Sequence, residues 1–271
     1  MRALPLNSTV SIPVLGFGTW QLSGLTCEQA VETALEVGYR HIDTADRYGN
    51  HRHVARAIKK SGINRSDLFL TTKVWHSDLN TKDVISAGKR FLQELETEYI
   101  DLLLVHWPNR HIPMQKTFEG FQHLLDNKYI RAIGVSNFTR HHLEEALQTG
   151  VAITNNQVEF HPSLNQQQLK DFCDQHSIIV TAYSPLAQGQ DLKLPVVQKL
   201  ALKYQRSGSQ IVLNWLISKN IVAIPRSSNP ERILDNFKAA EWELEKKDIE
   251  VLDQQHSNNR LLNLSFSEFD Y

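Results

Sequence analysis

LFLTTKVWHSDLNTKDVISAGKRFLQELETEYIDLLLVH, residues 68–106, is the stretch on which the fold turns. It opens on a short apolar run, LFLTTKV (68–74), and closes on another, DLLLVH (101–106). Between them Val84, Ile85, Gly88, Phe91, Leu92 and Leu95 recur at helical spacing, the mark of an amphipathic helix. The two runs carry little polar alternation. That suits strands of a parallel sheet covered by helices on its faces.

The same alternation extends both ways along the chain. Upstream, VLGF (14–17) precedes a helix whose Cys27, Ala30, Val31, Ala34 and Leu35 share one face, and HID (41–43) precedes a helix near 50–61. Downstream, IRAIGV (130–135), VAITNNQV (151–158) and IIVTAY (178–183) each precede a helical stretch, and IVAIP (221–225) precedes NPERILDNFKAA. Eight strands, each followed by a helix, predict an α/β fold closed as a (β/α)8 TIM barrel, with 1–271 as one domain. ALPL and SIPVL around NST predict an N-terminal β-hairpin closing the barrel floor. An open doubly wound sheet fits less well. Its glycine fingerprint would need a third glycine where Gly16-Phe17-Gly18-Thr19-Trp20-Gln21 has Gln21.

Composition narrows the function classes. The 29 Lys and Arg balance 30 Asp and Glu, for a net charge of −1, so neither a nucleic-acid footprint nor a polybasic membrane patch is expected. No apolar run approaches the roughly 20 residues of a membrane span. The start, MRALPLNSTVSIPVLGFG, lacks the apolar core of a signal peptide, and a cytoplasmic protein is expected. Cys27 and Cys173 read as two reduced thiols. His51 and His53 sit two apart on a helix and face different ways. With no H-E-x-x-H or His/Cys set, no metal is expected.

In a parallel barrel the active site lies at the carboxyl ends of the strands. HIDTADRYGN (41–50) puts Asp43 at the end of the second strand and Tyr48 just beyond. Lys73 lies on the third strand, and His106 ends the fourth. Singly, each has an ordinary explanation as a cap, a packing ring or a hydrogen-bonded side chain. Together they make a mechanism. A buried Lys73 needs a counter-charge, which Asp43 on the adjacent strand supplies. The ammonium beside Tyr48 is expected to lower the tyrosine pKa and make it a general acid near neutral pH. His106 would orient the same substrate oxygen.

GYRHIDTADRYGN, TTKVW and LLVHWP resemble the three segments that carry the Asp-Tyr-Lys-His tetrad of the aldo-keto reductases, and the resemblance spans essentially the whole chain. It implies that Asp43, Tyr48, Lys73 and His106 are the tetrad of an enzyme reducing aldehydes and ketones with NADPH. It further implies that Ser136 and Asn137 of IGVSNF, with Gln157, hold the nicotinamide carboxamide, and that Tyr183 stacks under the ring. Thr19, Trp20 and Asp43 join the cofactor site. Ser184 and Leu186 begin the loop that crosses the pyrophosphate. In IPRSSNPERILDNF, Arg226, Ser227, Ser228 and Arg232 match the residues that hold the 2′-phosphate, and Asn236 matches an adenine contact. Guanidinium forks and hydroxyls are the groups a dianionic phosphate favours.

Trp20, Trp75 and Trp107, beside Tyr48 and His106, are expected to line the substrate pocket, with rim packing the alternative for Trp75. Short loops after His106 and over 186–194 resemble those of bacterial members that reduce small aldehydes, methylglyoxal or keto-sugar acids such as 2,5-diketogluconate, and a monomer is expected. NNRLLNLSFSEFDY is a candidate to fold over the mouth. The chain departs from the family pattern at His51, where Glu is usual, at Ala55, where Gly is usual, and at Asp235, where a longer polar side chain contacts adenine. The alternative function is a non-catalytic NADP(H)-binding interaction protein on the same fold, against which the complete tetrad weighs. A phosphate-binding barrel lyase or isomerase would need a glycine-rich phosphate loop. IPRSSNPER has none.

Overall fold

The computed structural model describes residues 2–271. Strands β1 (Ala3–Pro5) and β2 (Ser11–Pro13) form an antiparallel hairpin, with Leu4 opposite Ile12. The other strands are β3 (Phe17–Gly18), β4 (His41–Asp43), β5 (Phe69–Val74), β6 (Leu102–Val105), β7 (Ile133–Ser136), β8 (Ile153–Glu159), β9 (Ile179–Tyr183) and β10 (Val222–Ala223). They form one parallel sheet in chain order. Its two ends meet. Gly16 N donates to Ala223 O at 2.9 Å, Ala223 N to Val14 O at 3.0 Å, and Gly18 N to Pro225 O at 3.1 Å. Gly18 is required at this seam, because a Cβ there would lie 2.8 Å from the Ile224 carbonyl oxygen.

The helices are α1 (Gly24–Val37), α2 (His51–Ser61), α3 (Thr81–Glu94), α4 (Met114–Asp126), α5 (Arg140–Gln148), α6 (Gln167–Gln175), α7 (Pro195–Tyr204), α8 (Gly208–Ser218), α9 (Pro230–Phe237) and α10 (Lys246–Asp253). The apolar stripes read from the sequence are the faces they bury. In α1 these are Cys27, Ala30, Val31, Ala34 and Leu35. In α3, Val84, Gly88 and Phe91 are buried with Ala87, while Ile85 and Leu92 are half-buried. Between β9 and β10 the chain makes two helices, α7 and α8. Among the described residues no helix is long and apolar enough to cross a membrane.

The barrel interior changes character from floor to mouth. Leu6, Val10 and Ile12 of the hairpin region pack against Phe69, Leu102, Leu104, Ala132, Val222 and Ile224, so apolar side chains close the bottom. Successive side chains of a strand point to opposite faces. On β5 the inward series is therefore Phe69, Thr71, Lys73, and on β6 it is Leu102, Leu104 and then His106. Lys73 lies opposite Leu104 in the register. The last inward position before the mouth is polar on both strands.

Candidate active site

The ends of β4, β5 and β6 bring four side chains together. Lys73, fully buried, donates from Nζ to Asp43 Oδ1 at 2.5 Å and to the Thr44 carbonyl at 2.8 Å. The other Asp43 oxygen accepts from Gln157 Nε2 at 2.7 Å. Burial raises the Asp43 pKa and lowers that of Lys73, and their mutual attraction opposes both shifts. The short contact and the full set of donors around Asp43 suit a carboxylate–ammonium pair. Lys73 Nζ also lies 3.5 Å from Tyr48 Oη. The Tyr48 ring meets His106 edge-on, with centroids 5.8 Å apart.

The structure departs from one expectation. Lys73 does not bring the Tyr48 pKa down in the free protein. Burial holds it well above its ordinary value, and the Asp43 charge and Tyr183 add to the shift. The ammonium is spent on Asp43 and Thr44, and it reaches Tyr48 only at the limit of hydrogen bonding. Tyr48 is thus a neutral phenol, the form that can give a proton. His106 is likewise neutral, because burial and then Lys73 push it well below the usual histidine range. Its Nδ1 is buried without a hydrogen-bond partner.

The loop after β4 is pinned from several sides. Asn50 Nδ2 donates to the Thr19 and Leu22 carbonyls, each at 3.0 Å, and its Oδ1 accepts from Thr44 Oγ1 at 2.6 Å. His51, the departure from the family pattern, starts α2 without disturbing it. Its Nδ1 pairs with Glu94 at 2.8 Å and its Nε2 with Thr72 Oγ1 at 2.8 Å, next to Lys73. Ala55 is buried in the same helix, and His53 turns to Glu28 instead.

Aromatic rings wall the mouth. Trp75 packs edge-on against His106 at 5.2 Å and Phe266 at 5.6 Å. Trp107, nearly buried, meets Phe266 and Phe269, each at 5.7 Å. Phe266 stacks on His76 at 4.2 Å. The tail therefore lies across the mouth. Leu261 N and Leu262 N donate to the Glu159 carboxylate at 2.8 and 3.0 Å. Glu268 takes His142 at 2.9 Å, and the Tyr271 hydroxyl donates to Glu145 at 2.7 Å. Trp20 is half-buried, and its carbonyl accepts from Arg226 Nε at 3.0 Å.

This arrangement has relatives. Residues 14–256 match the sequence profile described as the Aldo/keto reductase family. The chain belongs to that family. It is 40% identical over 265 residues to the 9,11-endoperoxide prostaglandin H2 reductase of Trypanosoma cruzi, covering 96% of this chain and 93% of the relative. It is 38% identical over 258 residues to the glyoxal reductase of Bacillus subtilis, covering 94% and 93%. Among solved structures, an aldo-keto reductase from a deep-sea metagenome library superposes with a TM-score of 0.93 at 37% identity over 98% of each chain.

The residues of this aldo-keto reductase that the sequence assigned to a cofactor fall into two groups. Ser136, Asn137, Gln157 and Tyr183 surround the tetrad. Asn137, with φ +63°, accepts from the Tyr183 hydroxyl at 2.8 Å and donates to the His106 carbonyl at 2.9 Å. Ser136 Oγ donates to the Gln157 carbonyl at 2.8 Å. Thr19 is buried, and its Oγ1 donates to the Asp43 carbonyl at 2.9 Å. In the loop after β9, Ser184, Ala187 and Gln188 all take positive φ around Leu186. Such backbone is rare outside glycine and concentrates at functional sites.

The second group lies at the start of α9. Ser228 and Arg232 are exposed there, Ser227 is buried, and Asn236 is buried one turn beyond Arg232. Asn229 caps the helix by accepting from Arg232 N at 3.0 Å. Arg226 reaches back to Trp20 and Gln21. The Asp235 carboxylate accepts from Ser207 at 2.5 Å and Gln210 at 2.7 Å.

Sequence reasoning missed a further buried cluster on the rim. His161 sits between Glu159 at 3.0 Å and Asp191 at 3.2 Å, and Ser163 Oγ donates to Asp191 at 2.6 Å. Burial works to lower the His161 pKa, but the two carboxylates outweigh it and the net shift is upward. Strand alternation through Gln157, Glu159 and His161 was the available signal.

Proposed function

We propose that this chain reduces small aldehydes and ketones to alcohols, with NADPH as reductant and Tyr48 as proton donor. The observation that carries the reading is the convergence of Tyr48, Lys73, Asp43 and His106 at the barrel mouth. Reduced nicotinamide, when bound, supplies the hydride to the carbonyl carbon. Tyr48 gives its proton to the carbonyl oxygen and takes another from solvent. Its neutral form in the free protein is the form a donor needs. Lys73 steadies the charge that develops on the phenol oxygen as the proton leaves. Asp43 keeps Lys73 charged and in place, and Gln157 keeps Asp43 in place. Neutral His106 donates a hydrogen bond to the same carbonyl oxygen and fixes its orientation.

The donor set suits this cofactor. Asn137 and Gln157 present buried carboxamides beside the tetrad, the groups that would pair with the nicotinamide amide, and Tyr183 offers a ring for stacking. At α9, Arg226, Ser227, Ser228 and Arg232 would take a 2′-phosphate, and Asn236 would face adenine. The helix start adds its own positive end. Asp235, three residues after Arg232, carries a negative charge that works against a phosphate there. Trp75, Trp107 and Trp20 leave an apolar wall for the substrate body.

The deciding experiment follows loss of reduced-nicotinamide absorbance with glyoxal, methylglyoxal, an aromatic aldehyde and a ketone, each with NADPH and with NADH. Turnover of at least one carbonyl, faster with NADPH, is expected. Cofactor binding without oxidation by any of them would overturn the reading in favour of a non-catalytic binder.

A further inference from the structure

Arg47 stands immediately before Tyr48, is exposed, and holds its guanidinium 5.5 Å from the centroid of the Trp75 ring. That ring packs on His106, and His106 packs on Tyr48. The cation is therefore one aromatic ring away from the reacting centre. A guanidinium over an indole face is restrained by the ring quadrupole, unlike a freely moving surface arginine.

Among the described residues no carboxylate lies within ion-pair distance of Arg47. The obvious candidate, its neighbour Asp46, is taken by both terminal nitrogens of Arg90 at 2.8 and 3.0 Å. Glu94 is shared between His51 and Arg90. Other charged groups lie at the mouth. Glu268 takes His142 and Arg110. Asp78 accepts from Ser77 at 2.7 Å, and its charge acts on His76. Arg260, on the tail, lies 3.8 Å from the Phe269 centroid, and its Nη1 is buried without a partner. Arg47 is thus an exposed cation beside the pocket, next in sequence to Tyr48.

We propose that Arg47 is a specificity-determining residue, selecting carbonyl substrates that carry a carboxylate remote from the reacting carbon. This rests on the reductase reading above. The guanidinium would form a forked pair with the carboxylate while the substrate body lies against Trp75. A neutral dicarbonyl offers this group only uncharged acceptors.

The test compares para-carboxybenzaldehyde with its methyl ester, two aldehydes that differ in charge and little in shape. Wild type should show the higher kcat/KM for the acid, and added salt should narrow the preference. In Arg47→Met the acid-to-ester ratio of kcat/KM should fall roughly ten-fold, mainly through KM, as loss of one charge-assisted contact predicts. Arg47→Lys should restore part of the ratio. If wild type prefers the ester, or Arg47→Met leaves the ratio unchanged, the inference is overturned while the reductase reading stands. If neither aldehyde is reduced while methylglyoxal is, the inference falls and the reductase reading stands.

Discussion

Strand β8 connects two buried ionic clusters of similar makeup and opposite character. From Gln157 it reaches Asp43 and Lys73, and two residues on it reaches His161 and Asp191 through Glu159. In the second cluster each group is matched. Both imidazole nitrogens of His161 have carboxylate partners, and the Glu159 oxygens also accept from the tail backbone. In the first, His106 Nδ1 has no partner and Tyr48 is held only at 3.5 Å by Lys73. Environment drives the first cluster toward neutral Tyr48 and His106, and the second toward charged His161. Hydrogen bonds are left incomplete in the first cluster and are closed in the second, which makes the second a clamp. The second cluster ties the loop after β9, through Asp191, to the tail, through Glu159.

The largest effect is expected at the first cluster. Tyr48→Phe should cut kcat by about 10²–10⁴-fold, the usual worth of a positioned proton donor. NADPH affinity, read by quenching of tryptophan fluorescence, should change little. Near-normal turnover at saturating substrate would remove the tyrosine from the mechanism.

Next come two substitutions that set the clusters against each other. Lys73→Met leaves Asp43 buried without its cation, and His161→Gln removes the imidazole that bridges Glu159 and Asp191. Breaking a buried pair in this way costs about 3–5 kcal/mol. Both variants should lose that stability in urea unfolding. Only Lys73→Met should also lose hydride transfer under single-turnover conditions. Equal losses of the chemical step in the two folded variants would erase the distinction between the clusters.

Arg226→Ala should weaken NADPH binding by about 10–100-fold, since a charge-assisted bond is worth roughly 1.5–3 kcal/mol and this arginine is exposed. NADH binding should fall much less. Parallel losses would move the reading of the 2′-phosphate away from the start of α9.

The smallest effect is in pH dependence. His161 is raised, so its stabilisation is complete below the unfolded value of about 6.5 and fades as pH rises through the folded value. Asp191 is lowered, so its contribution is present above the unfolded value of about 3.9 and fades as pH falls through the folded value. The melting temperature should decline on the alkaline side by roughly 2–4 °C per kcal/mol lost. His161→Gln should flatten that arm, and an unchanged slope would assign it to another group.

The eight strands and the helix faces were legible because burial on both sides writes itself as apolar runs and helical periodicity, as in 68–106. That Asp43, Tyr48, Lys73 and His106 come together was legible because strand ends fix the position of a side chain and because their three segments resemble one family pattern as a set. Sequence could not set the electrostatic balance. Lys73 sits near Tyr48 as expected, yet its charge is absorbed by Asp43 and Thr44, and burial decides the Tyr48 pKa. Nor could it pair residues that only the closed barrel brings together. Glu159 meets the backbone of Leu261 and Leu262 about a hundred positions away, Phe266 meets Trp75 and His76, and Arg90 removes Asp46 from Arg47 across 44 positions. Local pattern determines which elements form and which way their side chains point, because both follow from backbone periodicity. Which charges neutralise one another depends on distances between distant elements, and those exist only once the chain has closed.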